Sequence, residues 1–459
     1  MTTTYQHIEQ EHPEYVKSER MWKRYRDLYA GGERFRERAQ EYLIRRHKEP
    51  ADVYGERLSR VFYENYVGSI IDWYAATLMR RSPAIQYHGT NESAKVFFND
   101  FTDNCDLRHS TLPHFFKHAL IEALVCGKSY VAVDFPRTGD APLTRAEEEA
   151  SGRSRAYLVS FSADELINWS YDDVGELEWV IFRSTVTRQD SIKTFGWKTE
   201  TQWLYYDRRT FQRFTKKEGG GIELAQEGAH GFASIGKVPV FELKVSDGLW
   251  LTNKAALLQL EHFNKSNALG WALTMGLFAT PIIYSEKEFN QIAGESYYIQ
   301  LGKDDKFGWT EPTGNVYQIA AENLNRLKDE IYRVSYLMMQ AGDGSSGRVS
   351  GLSKQWDFSV TEEILRAYGD LMKTTMRHVL QSIADVRQDD LTIEVSGLDE
   401  FDISDFSTNV DDAQKLLGLG IQSETLRREV QKRVALKYLS DVRQEVKNRI
   451  VGEIDAAAK

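Results

Sequence analysis

The chain has 459 residues, 41% hydrophobic, 27% charged and 12% aromatic, which excludes a disordered segment and exceeds what one hydrophobic core usually serves, so about three structural units are expected. Acidic residues outnumber basic ones by 68 to 58, a formal charge of -10, which excludes a surface built throughout to neutralise phosphate. Cys105 and Cys126 are too few for a disulfide framework, and the opening MTTTYQHIEQEH lacks the basic and apolar regions of a secretion signal, so a reducing cytoplasm is expected.

Residues 14–48 are rich in Glu, Lys, Arg, Tyr and Leu. Trp22, Tyr25, Tyr29, Phe35 and Tyr42 fall at helical spacing on either side of Gly31-Gly32, which predicts two helices. The basic residues Lys23, Arg24, Arg26, Arg45, Arg46, His47 and Lys48 are interleaved with acids and read as solvated helix faces, not a nucleic-acid patch. Leu58, Val61, Phe62, Tyr66, Ile70, Trp73 and Leu78 recur mostly at three and four, which predicts one long amphipathic helix from Tyr54 to Met79. A further helix is expected over Leu112 to Cys126, with Gly127 in the left-handed cap position and SYVAVDF following as a strand. Residues 156–248 turn β-rich, through AYLVSF, LEWVIFRSTV, TQWLYYD, TFQRF and VPVFEL. Within them Lys216 to Gly221 reads as a hairpin tip.

Helix returns over Asn253 to Phe278. The uncharged stretch Ala268 to Tyr284 falls short of the ~20 residues that span a bilayer. It is interrupted by Pro281 and flanked by Glu261, Lys265, Glu286 and Lys287, so a helix covered by neighbouring subunits is expected and no membrane association. Short strands around PIIYS, YYIQL and FGWTEP precede a turn at Pro312-Thr313-Gly314. Leu324, Leu327, Ile331, Val334 and Met338 then form a narrow apolar stripe suited to packing on a neighbouring helix. The run Gly342 to Gly347 ends that helix and opens a flexible loop carrying Arg348 and Lys354 up to Trp356. Ser359, with Glu362 three residues on, is expected to cap a helix through Ile383. LTIEVSG makes a last strand, and Val410 to Ala458 is helical and charged. The fold class is α+β, mainly helical.

Few motifs of chemistry are present. Gly342-x-Gly344-x-x-Gly347 matches the dinucleotide fingerprint in letters, but it follows a helix where the fingerprint must follow a strand. Cys105, His109, His114 and His118 are close in sequence, and the last two share a helical face. They support the alternative reading, a metal-dependent enzyme, although no HExxH, CxxC or carboxylate pair completes a site. There is no GxSxG elbow and no GxxxxGK[ST] loop. No catalytic residue, cofactor or metal is assigned, and the chain is expected not to be an enzyme.

HPEY at His12 to Tyr15, RDLYAGG at Arg26 to Gly32, YGERLSRVFYENY at Tyr54 to Tyr66, ALVCGKSYVAVDFP at Ala123 to Pro136 and FSADELINW at Phe161 to Trp169, in that order and spacing, resemble landmarks of the portal proteins of tailed double-stranded DNA phages, siphophage-type head-to-tail connectors. The resemblance spans nearly the whole chain and implies a portal fold assembled as a ring around a central channel. Its parts would be a wing (1–250, with a wing strand at 389–405), stem helices (251–279 and 321–340), a clip (280–320), a tunnel loop (341–357), a spine helix (358–388) and a crown (406–459). The crown matches only around LGLGIQSETL at Leu417 to Leu426.

The function so implied is a dodecameric DNA channel at one capsid vertex, used for genome packaging, head-to-tail joining and DNA ejection. Gly344, Ser345, Ser346, Gly347, Arg348, Ser350, Lys354 and Gln355 would form the tunnel loop. Glu286, Lys287, Lys303, Lys306, Trp309 and Glu311 would lie on the clip that docks the terminase large subunit and later the head-completion adaptor. The stripe Leu324, Leu327, Ile331, Val334 and Met338 would pack the stem. Implied partners also include further copies of the chain, double-stranded DNA held without sequence preference, the major capsid protein and scaffold; the implied location is the virion's portal vertex, with assembly in the host cytoplasm. Because each phosphate neutralised by Lys or Arg adds affinity, a conduit must avoid gripping its polyanion. Twelve copies at -10 would carry roughly -120, a field that repels DNA except at local contacts such as Arg348 and Lys354.

Overall fold

The computed structural model describes residues 7–136, 155–189, 196–217, 220–276, 280–284, 304, 306–310, 315–337, 351–399, 401, 406–439, 442 and 444–456. In chain order the helices used below are α1 (Pro13–Ala30), α2 (Gly32–Glu37), α3 (Ala51–Ser59), α4 (Tyr66–Leu78), α5 (Glu92–Asp103), α6 (Leu112–Cys126), α7 (Leu251–Gly276), α8 (Asn315–Val334), α9 (Gly351–Arg387), α10 (Phe406–Gly418), α11 (Glu424–Tyr438) and α12 (Gln444–Ala456). The strands are β1 (Ala84–His88), β2 (Lys128–Asp134), β3 (Tyr157–Ser162), β4 (Leu166–Tyr171), β5 (Leu177–Gln189), β6 (Trp197–Asp207), β7 (Thr210–Lys217), β8 (Ile222–Ala229), β9 (Val240–Lys244), β10 (Thr280–Tyr284), β11 (Lys306–Thr310) and β12 (Thr392–Ser396).

Helix α6 is the hub of the N-terminal half, and its ends show why. Pro113 sits in the first turn, where its missing N–H costs nothing. At the other end Gly127 takes φ +85°, and an added Cβ would stand 3.0 Å from the Trp250 ring. The last-turn carbonyls, which have no partner within the helix, are taken by side chains from elsewhere. Thr252 Oγ1 donates to Leu124 O (2.9 Å), Trp250 Nε1 to Val125 O (3.0 Å) and Trp22 Nε1 to Cys126 O (2.8 Å). These bonds bring α1 and the start of α7 onto the same helix end, and α1, α4, α6 and α7 pack together.

β2 leaves Gly127 directly and pairs antiparallel with β3 and β9 in a three-stranded sheet. The order β4-β5-β6-β7-β8 makes a separate antiparallel sheet of consecutive hairpins. β1 and β12 pair antiparallel, Ala84 opposite Ser396 and His88 opposite Thr392, so the chain after α9 returns to the N-terminal half.

The expected single helix over Tyr54 to Met79 is two. α3 stops at Ser59, and α4 starts afresh after Asn65, whose Oδ1 accepts from Gly68 N at 2.8 Å while its Nδ2 donates to Tyr29 O at 2.8 Å. The intervening backbone finds partners outside any helix: Asn267 Nδ2 donates to Phe62 O (2.9 Å) and Phe62 N to Asn267 Oδ1 (3.1 Å). Once a tertiary partner satisfies these groups, periodicity no longer dictates a continuous helix.

The long helix α9 begins at Gly351, not at Ser359, and runs 37 residues, about 55 Å at the usual rise. Loop character was expected up to Trp356 because of the nearby glycines. No glycine or proline lies between Gly351 and Gly369, however, so a helix nucleated downstream extends back across Ser359. α8 likewise starts earlier than expected, at Asn315, and ends at Val334. The uncharged stretch from Ala268 is split between α7 and β10, which opens at Thr280 before Pro281. No helix among the described residues is long and apolar enough to cross a membrane.

Leu365, Tyr368, Met372, Met376, Val379, Leu380 and Ile383 of α9 are fully buried. They thread one hydrophobic cluster that extends from Ile8 to Phe401, where length alone suggested about three units. The C-terminal helices α10 to α12 pack on one another, and α12 docks on β1 and α5, with Asn448 Nδ2 donating to Asn99 Oδ1 at 3.1 Å.

Candidate functional site

α7 and α8 run side by side, bridged at one end by the antiparallel pair β10–β11, in which Thr280 faces Thr310 and Tyr284 faces Lys306. The cross-links run in opposite senses along the two helices, as an antiparallel pair requires. Lys265 Nζ donates to Asn323 Oδ1 at 3.0 Å, and farther out Tyr317 Oη donates to Ala272 O at 3.5 Å.

Burial is graded along the pair. Near the body Ala255, Ala256, Gln259 and Phe263 of α7 are buried, while residues 268–272 are half-buried and Leu273 is exposed. On α8, Ile331 is fully buried and Leu327 is 3% exposed, whereas Leu324 and Val334 are half-buried. The expected stripe is therefore the inward face of α8, packed on α7 within the same chain; Met338 lies outside the described residues. Val316 and Ile319 of α8 are nevertheless 65% and 66% exposed, as is Leu257 of α7 at 70%. The sequence reading missed these three residues. Val316 precedes Val334 by a whole number of turns and so continues the stripe toward the far end of the pair, with Ile319 flanking it.

At the base of the pair, Ser335 and Tyr336 tie α8 into the body. Tyr74 Oη donates to Ser335 O at 2.8 Å and Tyr336 Oη to Gly248 O at 3.1 Å. The Lys254 ammonium lies 4.4 Å from the Tyr336 ring centre. Tyr336 has φ +60°, a left-handed conformation that costs a non-glycine residue ~1–2 kcal/mol and that these contacts hold in place.

Of the residues expected to line a lumen, Gly344, Ser345, Ser346, Gly347, Arg348 and Ser350 lie outside the described residues. Lys354 and Gln355 belong to the first turns of α9 rather than to a loop. Glu286, Lys287, Lys303 and Glu311 also lie outside. Lys306 and Trp309 fall on β11, and Lys306 is exposed. Of the N-terminal basic residues, Lys23, Arg26 and Arg45 are engaged within the chain. Arg26 pairs with Glu122 (2.6 Å) and Asp164 (2.8 Å), Lys23 with Glu19 (2.8 Å), and Arg45 donates to Glu49 O (2.6 Å).

The Cys105, His109, His114, His118 cluster does not assemble. Burial pushes the Cys105 thiol well above its ordinary value, keeping it protonated, and Sγ donates to Ser110 O at 3.4 Å. His109, at φ +68°, is held through its backbone N by Asn104 Oδ1 at 2.9 Å. Only His114 and His118 meet, with Nε2 atoms 3.3 Å apart. No group of three or more His, Cys, Asp or Glu that could hold a metal ion occurs among the described residues.

No protein-family model and no curated protein matches the sequence. Among solved structures, the chain is similar to one from the neck of an empty gene transfer agent particle of C6 symmetry, at 12% identity and TM-score 0.47, covering 80% of this chain and 90% of that one. It is also similar to one from the virion of a native gene transfer agent particle, at 13% identity and TM-score 0.45, covering 86% and 97%. A third, from the neck of the native particle with C12 symmetry, matches at 12% identity and TM-score 0.39, covering 79% and 89%.

Proposed function

We propose that the chain is a portal-type subunit, one copy of a closed ring, dodecameric as the family resemblance implies, whose bore passes double-stranded DNA at a single capsid vertex. The observation that carries the reading is the α7–α8 pair, packed at Leu327 and Ile331 yet bare at Leu257, Val316 and Ile319. Apolar groups left in water on a protruding pair are best accounted for by a neighbouring copy that covers them, and head-to-tail contacts between identical wedges close into a ring.

The order of elements supports the same reading. A helix pair bridged by a β-hairpin, a 37-residue helix and a strand returning to β1 follow one another as stem, clip, spine and wing do in the family that the sequence resembles. Arg26 and Lys23 pair with carboxylates, which lowers their pull on phosphate, in keeping with a conduit that lets a polyanion slide. On this reading the β10–β11 end, with Lys306 and Trp309, meets the terminase large subunit and then the head-completion adaptor. Arg348 and Lys354 touch DNA transiently, the capsid protein and scaffold surround the ring at the virion vertex, and no catalysis is required of the chain. Electron microscopy of the purified protein tests it: annular particles with a central channel are the expected result. A strictly monomeric particle at high concentration sinks the proposal.

A further inference from the structure

His114 and His118 stand one turn apart on the exposed side of α6, with ring centres 4.5 Å apart and planes at 77°. Their Nε2 atoms approach to 3.3 Å. Two nitrogen ligands ~2.0–2.1 Å from a tetrahedral ion, at an angle near ~109°, stand about 3.3 Å apart, so the pair already has the bite of a chelate. The two rings open onto a cleft of about 470 Å³ lined also by Tyr29, Asp72, Lys117 and Glu122.

The carboxylates in that cleft are engaged. Asp72 accepts from Tyr29 Oη at 2.8 Å, and Glu122 is bound by Arg26. Among the described residues the two imidazoles meet each other, a contact in which one Nε2 must be the unprotonated acceptor.

We infer that His114 and His118 form a two-histidine site for a divalent first-row transition ion, with Zn2+ the probe of choice and water filling the remaining positions. Imidazole pairs suit Zn2+, Ni2+ and Cu2+ and do not suit Mg2+ or Ca2+, which take oxygen ligands. None of Leu257, Val316 and Ile319 lines the site.

The test is titration of the chelator-treated full-length chain with zinc chloride, followed by calorimetry, on wild type and on His114→Gln, His118→Gln and the double variant. Wild type is expected to take up one equivalent that each single variant loses at least tenfold in affinity and the double variant loses entirely. Both side chains are exposed, so the variants should keep the wild-type circular dichroism and melting temperature without metal. Cobalt(II) provides a second readout, because four-coordinate Co2+ gives intense visible bands and octahedral Co2+ only weak ones. Zinc uptake that persists in the double variant, no uptake by wild type, or only weak cobalt bands overturns the inference. Calcium or magnesium competing at equal concentration overturns the assigned ion class.

Discussion

Three carboxamides on α7 do what the apolar residues around them cannot. Gln259 donates to Glu64 O (2.8 Å) and accepts from Val67 N (3.3 Å); Asn264 donates to Tyr42 O (3.1 Å) and accepts from Ile44 N (2.8 Å); Asn267 makes the same double contact with Phe62. Each side chain matches one backbone N–H and one C=O in an irregular N-terminal segment whose polar groups would otherwise be left unpaired. Replacing Asn267 by Leu keeps the volume and removes both partners, so Asn267→Leu is expected to destabilise the fold by ~1–3 kcal/mol, read as a lower urea midpoint. An unchanged midpoint would mean water serves Phe62 equally well. Next to these, His262 is 3% exposed, and burial holds its imidazole below the ordinary value despite Glu64 at 3.6 Å. The unfolded chain then takes up a proton that the folded chain resists, so this contribution is intact above about pH 6.5 and is lost as pH falls below it. Urea midpoints measured from pH 7.5 to 5 should fall less steeply in His262→Gln than in wild type, and parallel curves would refute the assignment.

At the scale of elements, helix ends are decided by what meets them. α6 ends where Gly127 can turn left-handed and where two tryptophans and a threonine take its carbonyls. α4 starts at Asn65 because a tertiary contact holds that side chain as a cap. The α7–α8 pair depends on a short seam. Leu327→Ala, at a position 3% exposed, removes buried methyl groups from it and is expected to cost ~2–5 kcal/mol, measurable as a lower melting temperature of the unassembled chain. A loss below ~0.5 kcal/mol would show that the seam can collapse around the gap or is not closed in solution.

For the whole molecule, the same two helices carry both a packed seam and an exposed apolar surface. Val316→Asp and Ile319→Asp alter side chains about two-thirds exposed in the single chain, so folding should change by no more than ~0.5 kcal/mol. If identical subunits cover that face, a charge there is expected to abolish ring formation in sizing or mass photometry while leaving the monomer melt in place. Rings of normal size in both variants would show that these two side chains stay in water. The continuous core from Ile8 to Phe401 makes a rigid body from which such a pair can be presented, since α9 packs on α4, α6 and β9 at once.

Sequence by itself determined the elements whose signals are local. The apolar run from Leu112 with Pro113 and Gly127 at its ends set α6; the β-branched and aromatic runs set β2, β5, β6, β7 and β9; and the three-four spacing from Leu324 set the packed face of α8. Tertiary structure decided what depends on distant partners. β1 exists by pairing with a strand some three hundred residues on, and β8, with only Ile222 and Leu224 as strand-forming side chains, is held by β7. The break before α4 depends on a carboxamide in α7. The exposure of Val316 and Ile319, and the separation of Cys105 and His109 from the His114–His118 pair, were equally beyond local reading. Periodicity reports that a side chain shares a face, but burial depends on which element arrives to cover that face, and that is fixed by the packing of the entire chain.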